Sequence, residues 1–438
     1  MSMVATTLRD LYDPQRQGTA FAIDGLVPAE ELEHWLKQGV LGQTSNQTLF
    51  LAKVNAGQLD GDIAVLHKAG KSPIEIFNTL YDREAQASAK ALERWVNPRD
   101  SLAFSRETDA TRAADGAAIV AEAQNIQALS PWVFVKLANV GTSPDAIRMM
   151  LRDAVLTGVR NRRLVNPNIT LVFGAHHYVN TVAGYIEGLE AAAAAGADIS
   201  GVRSVNSLFV SRMDTAVDAL IDRQLAATTD PSKQDLLKHL YGKTATAHAK
   251  KVYQMSRAIF LDEAFHDLCG LFTDLHDMIG ELRERFKRLR GAGVQRVLIA
   301  SSGNKRPNHY SEQIYILPFF GPHLGNTLPV KSLANLQERL NHIGIPLRDT
   351  VHDPMPWIIQ NGETIAAWEE AVMQGGGRST KSPDEVLRLV RDQVLTPSNT
   401  TLTAISDELR DKGAKAFADD QLKAYDLFER KVQSLSLP

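Results

Sequence analysis

The chain has 438 residues, 44% of them hydrophobic and 23% charged, and carries a formal net charge of −3 at neutral pH. That balance is ordinary for a globular protein and supplies no long-range pull toward nucleic acid or anionic lipid. One cysteine, Cys269, excludes an intrachain disulfide and a cysteine-based metal cluster.

In chain order, residues 1–18 read as a lead-in helix. They carry acids and lack an apolar signal core, and no later apolar run approaches the roughly 20 residues that cross a bilayer. A cytoplasmic protein with no nucleic-acid or membrane partner is expected. Short apolar or β-branched runs then recur at TAFAID (19–24), GVLGQTS (39–45), SLAFS (101–105), WVFVKLA (132–138), NITLVF (168–173), GVRSVNSLFVSR (201–212), VQRVLIASS (294–302) and EQIYILPFF (312–320). Between them lie PAEELEHWLKQ, SPDAIRMMLRDAVLTG and YVNTVAGYIEGLEAAAAAGA, with apolar residues at helical spacing. Eight strands alternating with helices predict an α/β fold, a (β/α)8 TIM barrel. Such a barrel needs about 250 residues, so the chain holds extra helices and C-terminal helical insertions. The expected division is a barrel over 1–335 with a long helical segment at 214–293, an inserted loop–helix segment at 336–400, and a C-terminal helix at 401–438 packing on the barrel. The charged tail of the helical segment, DMIGELRERFKRLRGAG, reads as a solvated face.

Barrel chemistry lies at the C-terminal ends of the strands. Those ends offer Asp24, then Thr44, Ser45 and Asn46, then Lys136, then Asn168 and Thr170. Ser207 and Arg212 follow, and then Ser301, Ser302, Asn304 and Lys305. Asn168 and Thr170 are two apart and share a face, as do Phe134 and Lys136. A lysine pointing into a barrel is costly unless it is paired or neutral. Desolvation and nearby cations favour the neutral amine, which attacks a carbonyl to form a Schiff base. The alternative is a structural ion pair with Asp24 or another acid.

Several segments together resemble one family. VFVKLA is similar to the transaldolase strand that carries the Schiff-base lysine, at Lys136. NPNITLVF resembles its Asn-x-Thr-Leu strand, at Asn168 and Thr170. SVNSLFVSRMDTAVD resembles its Ser-x-Phe-Val-x-Arg segment, at Ser207, Phe209 and Arg212. FAID resembles the first strand with its aspartate, at Asp24, and GQTSNQTLF resembles the Thr-Ser-Asn-Pro segment, with Gln47 in place of proline. GKTATAHAKKVYQ (242–254), VLIASSGNKRP (297–307), NTLP (326–329) and LTAISDELRDKGAKAFADD (402–420) resemble the long bacterial branch. The order of these segments along consecutive strands is more specific than any one of them.

The resemblance implies a metal-free, cofactor-free class I transaldolase acting on sugar phosphates, as a monomer or homodimer. Lys136 would condense with a ketose phosphate and Asp24 would take the proton of the hydroxyl beyond the breaking bond. An aldose phosphate would leave, and a dihydroxyacetone unit would stay on Lys136 until a second aldehyde accepts it. The pair implied is sedoheptulose 7-phosphate and glyceraldehyde 3-phosphate, giving erythrose 4-phosphate and fructose 6-phosphate, or a specialised sugar. Asn46 and Asn168 would hold the donor hydroxyls, Thr170 a water, and Thr44, Ser207, Phe209 and Ser302 would line the donor site. Arg212 and Lys305 would bind phosphate. Bland roles remain open: a surface ion pair for Arg212, a polar loop for Lys305, a helix cap for Asp24.

One departure stands out. Where the family reads Ser-Leu-Glu-Val-Ser, this chain reads SLAFS, so Ala103 takes the place of a glutamate that supports proton shuttling. Glu107 from the following loop, or Ser105 with Thr170, are the available substitutes. Gly25 and Leu26 after Asp24 and the inserted RNRR at 160–163 also depart. The other readings are an aldolase that releases free dihydroxyacetone, which Phe209 opposes, and a sugar-phosphate binding protein without turnover. His176 and His177 lack a carboxylate pair and are not read as a metal site. GGGR at 375–378 lacks the setting of a phosphate loop. Cys269 reads as core.

Overall fold

The structure is a computed structural model that describes residues 4–5, 7–12, 18–45, 47–140, 148–149, 152–154, 156–157, 165–342, 345–346, 367, 369 and 381–435. Asn46, the RNRR segment, most of the helical pattern at 143–158, most of 340–380 and the GGGR run lie outside the described residues.

Eight strands form a closed parallel barrel: β1 (Ala20–Asp24), β2 (Gly42–Thr44), β3 (Ala103–Glu107), β4 (Val133–Ala138), β5 (Pro167–Val172), β6 (Ser204–Phe209), β7 (Gln295–Ala300) and β8 (Leu324–Leu328). β8 pairs with β1 and completes the ring. Side chains alternate along each strand. Phe21, Ile23, Phe104, Val133, Val135 and Ile169 belong to the large core between barrel and helices, whereas Ala20, Ala22, Leu102, Ala103, Phe134, Val205 and Leu298 form a separate cluster with Tyr12. That second cluster fills the lower half of the barrel interior. Above it the same inward positions turn polar, with Asp24, Thr44, Ser105, Glu107, Lys136, Asn168, Thr170, Ser207 and Thr327. The floor is therefore sealed and apolar, and the chemistry is confined to the upper end.

Seven of the strands overlap the runs read from the sequence, with Ala103–Glu107 running two residues past SLAFS and Pro167–Val172 starting one residue before NITLVF, but the eighth does not. Residues 312–318 form consecutive turns, and the strand is Leu324–Leu328. The apolar run is buried without being a strand: Ile314, Tyr315, Ile316 and Leu317 all pack into the core. The true strand, LGNTL, carries little apolar signal. It holds a glycine because a Cβ at Gly325 would stand 2.8 Å from Leu298 Cδ1. The lead-in helix is a single turn, Leu8–Leu11, closed by a capping box between Thr7 and Asp10.

The principal helices are α1 (Ala29–Gln38), α2 (Gln47–Asn55), α3 (Asp60–Lys68), α4 (Pro73–Trp95), α5 (Gly116–Gln127), α6 (Ala175–Ala194), α7 (Ser211–Ala227), α8 (Pro231–Leu240), α9 (Thr244–Phe260), α10 (His276–Arg288), α11 (Val330–His342), α12 (Pro383–Val390) and α13 (Leu402–Leu435). The trio α2–α4 between β2 and β3 builds a satellite core with the far end of α13, where Phe50, Phe77 and Tyr81 meet Ala424, Phe428 and Val432. α13 reaches that core across the barrel mouth. Gly413 lies against Leu171 and Arg212, Phe417 against Lys136, and Tyr425 donates to Asp109.

Close approach of β2 and β3 requires Gly42, since a Cβ there would meet Leu102 Cβ at 2.6 Å and the Ala103 carbonyl oxygen at 2.8 Å. Gly42→Ala is expected to lower the urea midpoint by the equivalent of about 1–3 kcal/mol, the cost of overpacking against a backbone that cannot withdraw.

Candidate active site

Parallel pairing sets which residues stand level in the barrel. Glu107, the last residue of β3, is level with Lys136 on β4, and Lys136 is level with Asn168 on β5. Asp24 is level with Thr44 on the far side of the mouth. Lys136 points inward and is 7% exposed. Its Nζ donates to the Ser45 carbonyl at 3.2 Å and stands 3.6 Å from Glu107 Oε1, with the Phe417 ring centroid 5.6 Å away.

Of the acids around it, Glu107 is buried and Asp24 half-buried. Burial lifts the Asp24 carboxyl above its ordinary pKa, while the charges of Lys136 and Lys305 and a 3.2 Å bond from Thr44 Oγ1 pull the other way. Burial lifts Glu107 as well, against Lys136 and Arg106, and Asp420 of α13 adds to the rise. Neither Glu107 oxygen has a hydrogen-bond partner among the described residues. The expectation that Glu107 reaches in from a loop is corrected: it is a strand residue beside the lysine. Ala103 lies at the start of β3, level with Gly42, in the apolar floor. Its φ of 55° is a left-handed kink that brings Leu102 and Ala103 into one interior cluster.

Polar side chains fix one another around the lysine. Asn168 Nδ2 donates to Ser105 Oγ at 2.8 Å, and Ser207 Oγ donates to Asn168 Oδ1 at 2.7 Å. The amide orientation of Asn168 is thus set from both ends. Thr44 Oγ1 is 2.8 Å from Thr327 Oγ1. Thr170 is fully buried, and its hydroxyl has no partner among the described residues. Ser302 donates to the Thr327 carbonyl at 2.6 Å, so its proton is committed to the wall of the barrel. Phe209 meets Phe173 edge to face and carries the Arg212 guanidinium 5.5 Å above its ring. Arg212, second in α7, and Lys305, in the loop after β7, have no carboxylate partner among the described residues.

Sequence reasoning misplaced one contributor, Glu107, and missed two, Phe417 and Asp420. The seat of Glu107 was available from its two-residue spacing to Ser105. Phe417 and Asp420 arrive from nearly 300 residues away and left no local signal. Among the weaker signals, His176 bonds to Asp274 at 2.8 Å and His177 to Asp407 at 2.9 Å, tying α6 to neighbouring segments. Cys269 is buried, and burial pushes its thiol up to about 12. The nearby Asp267 and Asp384 accept backbone N–H groups, and Asp384 pairs with Lys251. No helix among the described residues is long and apolar enough to cross a membrane.

A sequence model of the family described as Transaldolase/Fructose-6-phosphate aldolase matches residues 23–432. A protein named Transaldolase from Trichodesmium erythraeum is 31% identical over 327 residues, 73% of this chain and 79% of that protein. Transaldolase 2 of Nostoc punctiforme is 27% identical over 437 residues, covering 97% of this chain and 98% of its own. The Transaldolase of Mycobacterium tuberculosis is 27% identical over 319 residues, 72% of this chain and 74% of that protein.

Proposed function

Because this chain belongs to the transaldolase/fructose-6-phosphate aldolase family, we propose that it is a transferase moving a dihydroxyacetone unit from a ketose phosphate to an aldose phosphate through a Schiff base on Lys136. Sedoheptulose 7-phosphate and glyceraldehyde 3-phosphate, giving erythrose 4-phosphate and fructose 6-phosphate, are the reference pair, in cytoplasmic carbohydrate metabolism. The observation that carries this reading is the inward amine of Lys136, set between a buried glutamate at 3.6 Å and the field of a half-buried aspartate.

Lys136 Nζ adds to the donor ketone, and the resulting carbinolamine loses water. The departing hydroxyl needs a proton, and Glu107, whose pKa burial raises, is the acid beside the nitrogen. Asp24 then takes the proton of the hydroxyl on the far carbon of the bond that breaks; that carbon becomes the aldehyde, and the electron pair of the bond flows to the imine nitrogen. The aldose phosphate leaves, and the enamine waits for an acceptor aldehyde, after which the steps run backwards. Asn168, held by Ser105 and Ser207, is oriented to meet donor hydroxyls, a role that the family resemblance also gives to Asn46. Thr170 offers an uncommitted hydroxyl for a water. Arg212 and Lys305 suit the phosphate dianion. Thr44, Phe209 and Ser302 shape the walls.

The test is reductive trapping. Incubation with fructose 6-phosphate followed by borohydride is expected to leave a three-carbon adduct on Lys136, located by mass spectrometry. A whole-sugar adduct would show imine formation without cleavage, and no adduct would sink the reading. Adding an acceptor aldehyde distinguishes transfer from release of free dihydroxyacetone.

Glu107→Gln keeps the shape and removes the proton relay. Turnover should fall by about 10² to 10⁴. The acid limb of the parent pH–rate profile should lie above the ordinary carboxylate range, because burial raises both Glu107 and Asp24. An unchanged rate in the variant would remove Glu107 from the reaction.

A further inference from the structure

Lys305 is exposed, yet the loop that carries it is pinned on both sides of the lysine. Asn304 Nδ2 donates to the Tyr310 carbonyl at 2.5 Å, and its Oδ1 accepts the Arg306 N–H at 2.8 Å. Arg306 pairs with Asp222 at 2.8 Å and approaches Asp218 at 3.8 Å. Tyr310 and Tyr315 send their hydroxyls back into the protein, to Asp218 Oδ2 at 2.5 Å and to Asp214 Oδ2 at 2.9 Å.

The anchors lie on one helix. Asp214, Asp218 and Asp222 are spaced i, i+4, i+8 along α7 and present one face to the loop. Asp214 and Asp218 are buried. Their remaining oxygens accept the backbone N–H groups of Ala245 at 2.7 Å and Gly242 at 3.1 Å, at the start of α9. Two acids buried side by side are costly, and burial raises both their pKa values. A fold that keeps such a pair places four hydrogen bonds on it, two of them from the loop after β7. The start of the loop is fastened to the same helix, with Ser211 and Ser301 hydroxyls 3.0 Å apart and the Ser211 N–H donating to the Ser301 carbonyl. Arg212 is the next residue of that helix. Both cations thus stand on one braced frame, and the charge of Lys305 is felt by Asp24 inside the barrel.

We propose that Tyr310 and Asp218 are positioning residues for the phosphate subsite: by clamping the loop after β7 to α7 they hold Lys305 at the barrel mouth, on the side of Asp24, where a sugar phosphate places its dianion. The proposal rests on the phosphate role given to Lys305 above. Tyr310 touches no substrate and acts through Lys305, so its effect belongs to phosphate affinity and not to bond making.

The experiment measures inorganic phosphate binding by calorimetry for the parent, Tyr310→Phe, Lys305→Met and the double variant, alongside KM and kcat with fructose 6-phosphate and with unphosphorylated fructose. Tyr310→Phe should weaken phosphate binding and raise KM for fructose 6-phosphate by about tenfold, the scale of one hydrogen bond to a charged group. The kcat and the behaviour with fructose should stay near parental values. In the Lys305→Met background, Tyr310→Phe should add nothing to either loss. Asp218→Asn, which keeps an acceptor for Tyr310 but removes the charge facing Arg306, should fall between parent and Tyr310→Phe; it also serves if Tyr310→Phe folds poorly. Equal losses with fructose and fructose 6-phosphate, a loss that persists without Lys305, or a parent that does not bind phosphate would each overturn the proposal. A parent that binds phosphate through Lys305 and Tyr310 but yields no borohydride adduct would uphold the clamp and sink the transferase reading instead.

Discussion

Lys136→Arg is expected to abolish transfer, with turnover down by at least about 10⁴, the scale seen when a covalent nucleophile is removed. The substitution isolates nucleophilicity from charge. A guanidinium keeps the positive charge beside Glu107 and can still donate to the Ser45 carbonyl, but it does not give up its proton and cannot form an imine. The fold should survive, because the buried carboxylate keeps a cationic neighbour. Lys136→Met should be as inactive and also less stable, since it leaves Glu107, whose oxygens have no other hydrogen-bond partner among the described residues, facing an apolar side chain. The measurements are turnover, the borohydride adduct and the thermal midpoint. Residual transfer in the arginine variant above the background rate would mean that another amine carries the reaction, and the site would have to be sought elsewhere.

The barrel was legible because parallel strands covered on both faces read as short apolar runs separated by helical periods. Lys136, Asn168, Thr170 and Ser207 stood out because two-residue alternation assigns a face to each without knowledge of the fold. The eighth strand was hidden by a physical coincidence: EQIYILPFF is buried and apolar but irregular, while LGNTL owes its place to a glycine and two polar residues. Glu107 was mislocated because the likeness centred on SLAFS drew attention to Ala103. The left-handed kink at Ala103 lies in the floor, and the end of the same strand carries the acid to the lysine. The trio α2–α4 and the crossing of α13 depend on long-range packing, with Phe50 against Phe428 and Lys136 beneath Phe417. Such contacts leave no periodic trace in either segment. The site thus divides by distance in sequence: what neighbouring strands contribute was readable, and what the C-terminal helix contributes was not.

Lys243→Met is expected to make the protein more stable at neutral and lower pH, against the usual direction for a core substitution. Lys243 is 1% exposed at the start of α9, and its ammonium has no hydrogen-bond partner among the described residues. Burial, together with the nearby charge of Lys381, lowers its pKa from 10.5 to about 7. Between about pH 7 and 10.5 the unfolded chain therefore binds a proton at this position that the folded chain has released. Stability must rise with pH across that window and carry the full penalty below it. A depression of that size corresponds to a few kcal/mol, at about 1.4 kcal/mol for each tenfold change. Methionine fills a similar volume and removes both the penalty and the slope. Urea denaturation at pH 6.5 should show the variant ahead by on the order of a few kcal/mol, and the two proteins should converge as the pH approaches 10. A variant less stable at pH 6.5, or one that keeps the parental slope between pH 7 and 10, would mean that Lys243 is charged and compensated in the folded protein. The same comparison bears on Lys136. Both amines are buried, but Lys136 has a carboxylate 3.6 Å away and Lys243 has none among the described residues. The barrel thus supplies a charge partner to the amine that the proposed reaction would cycle through charged states, and the helical layer around it leaves the other to lose its proton.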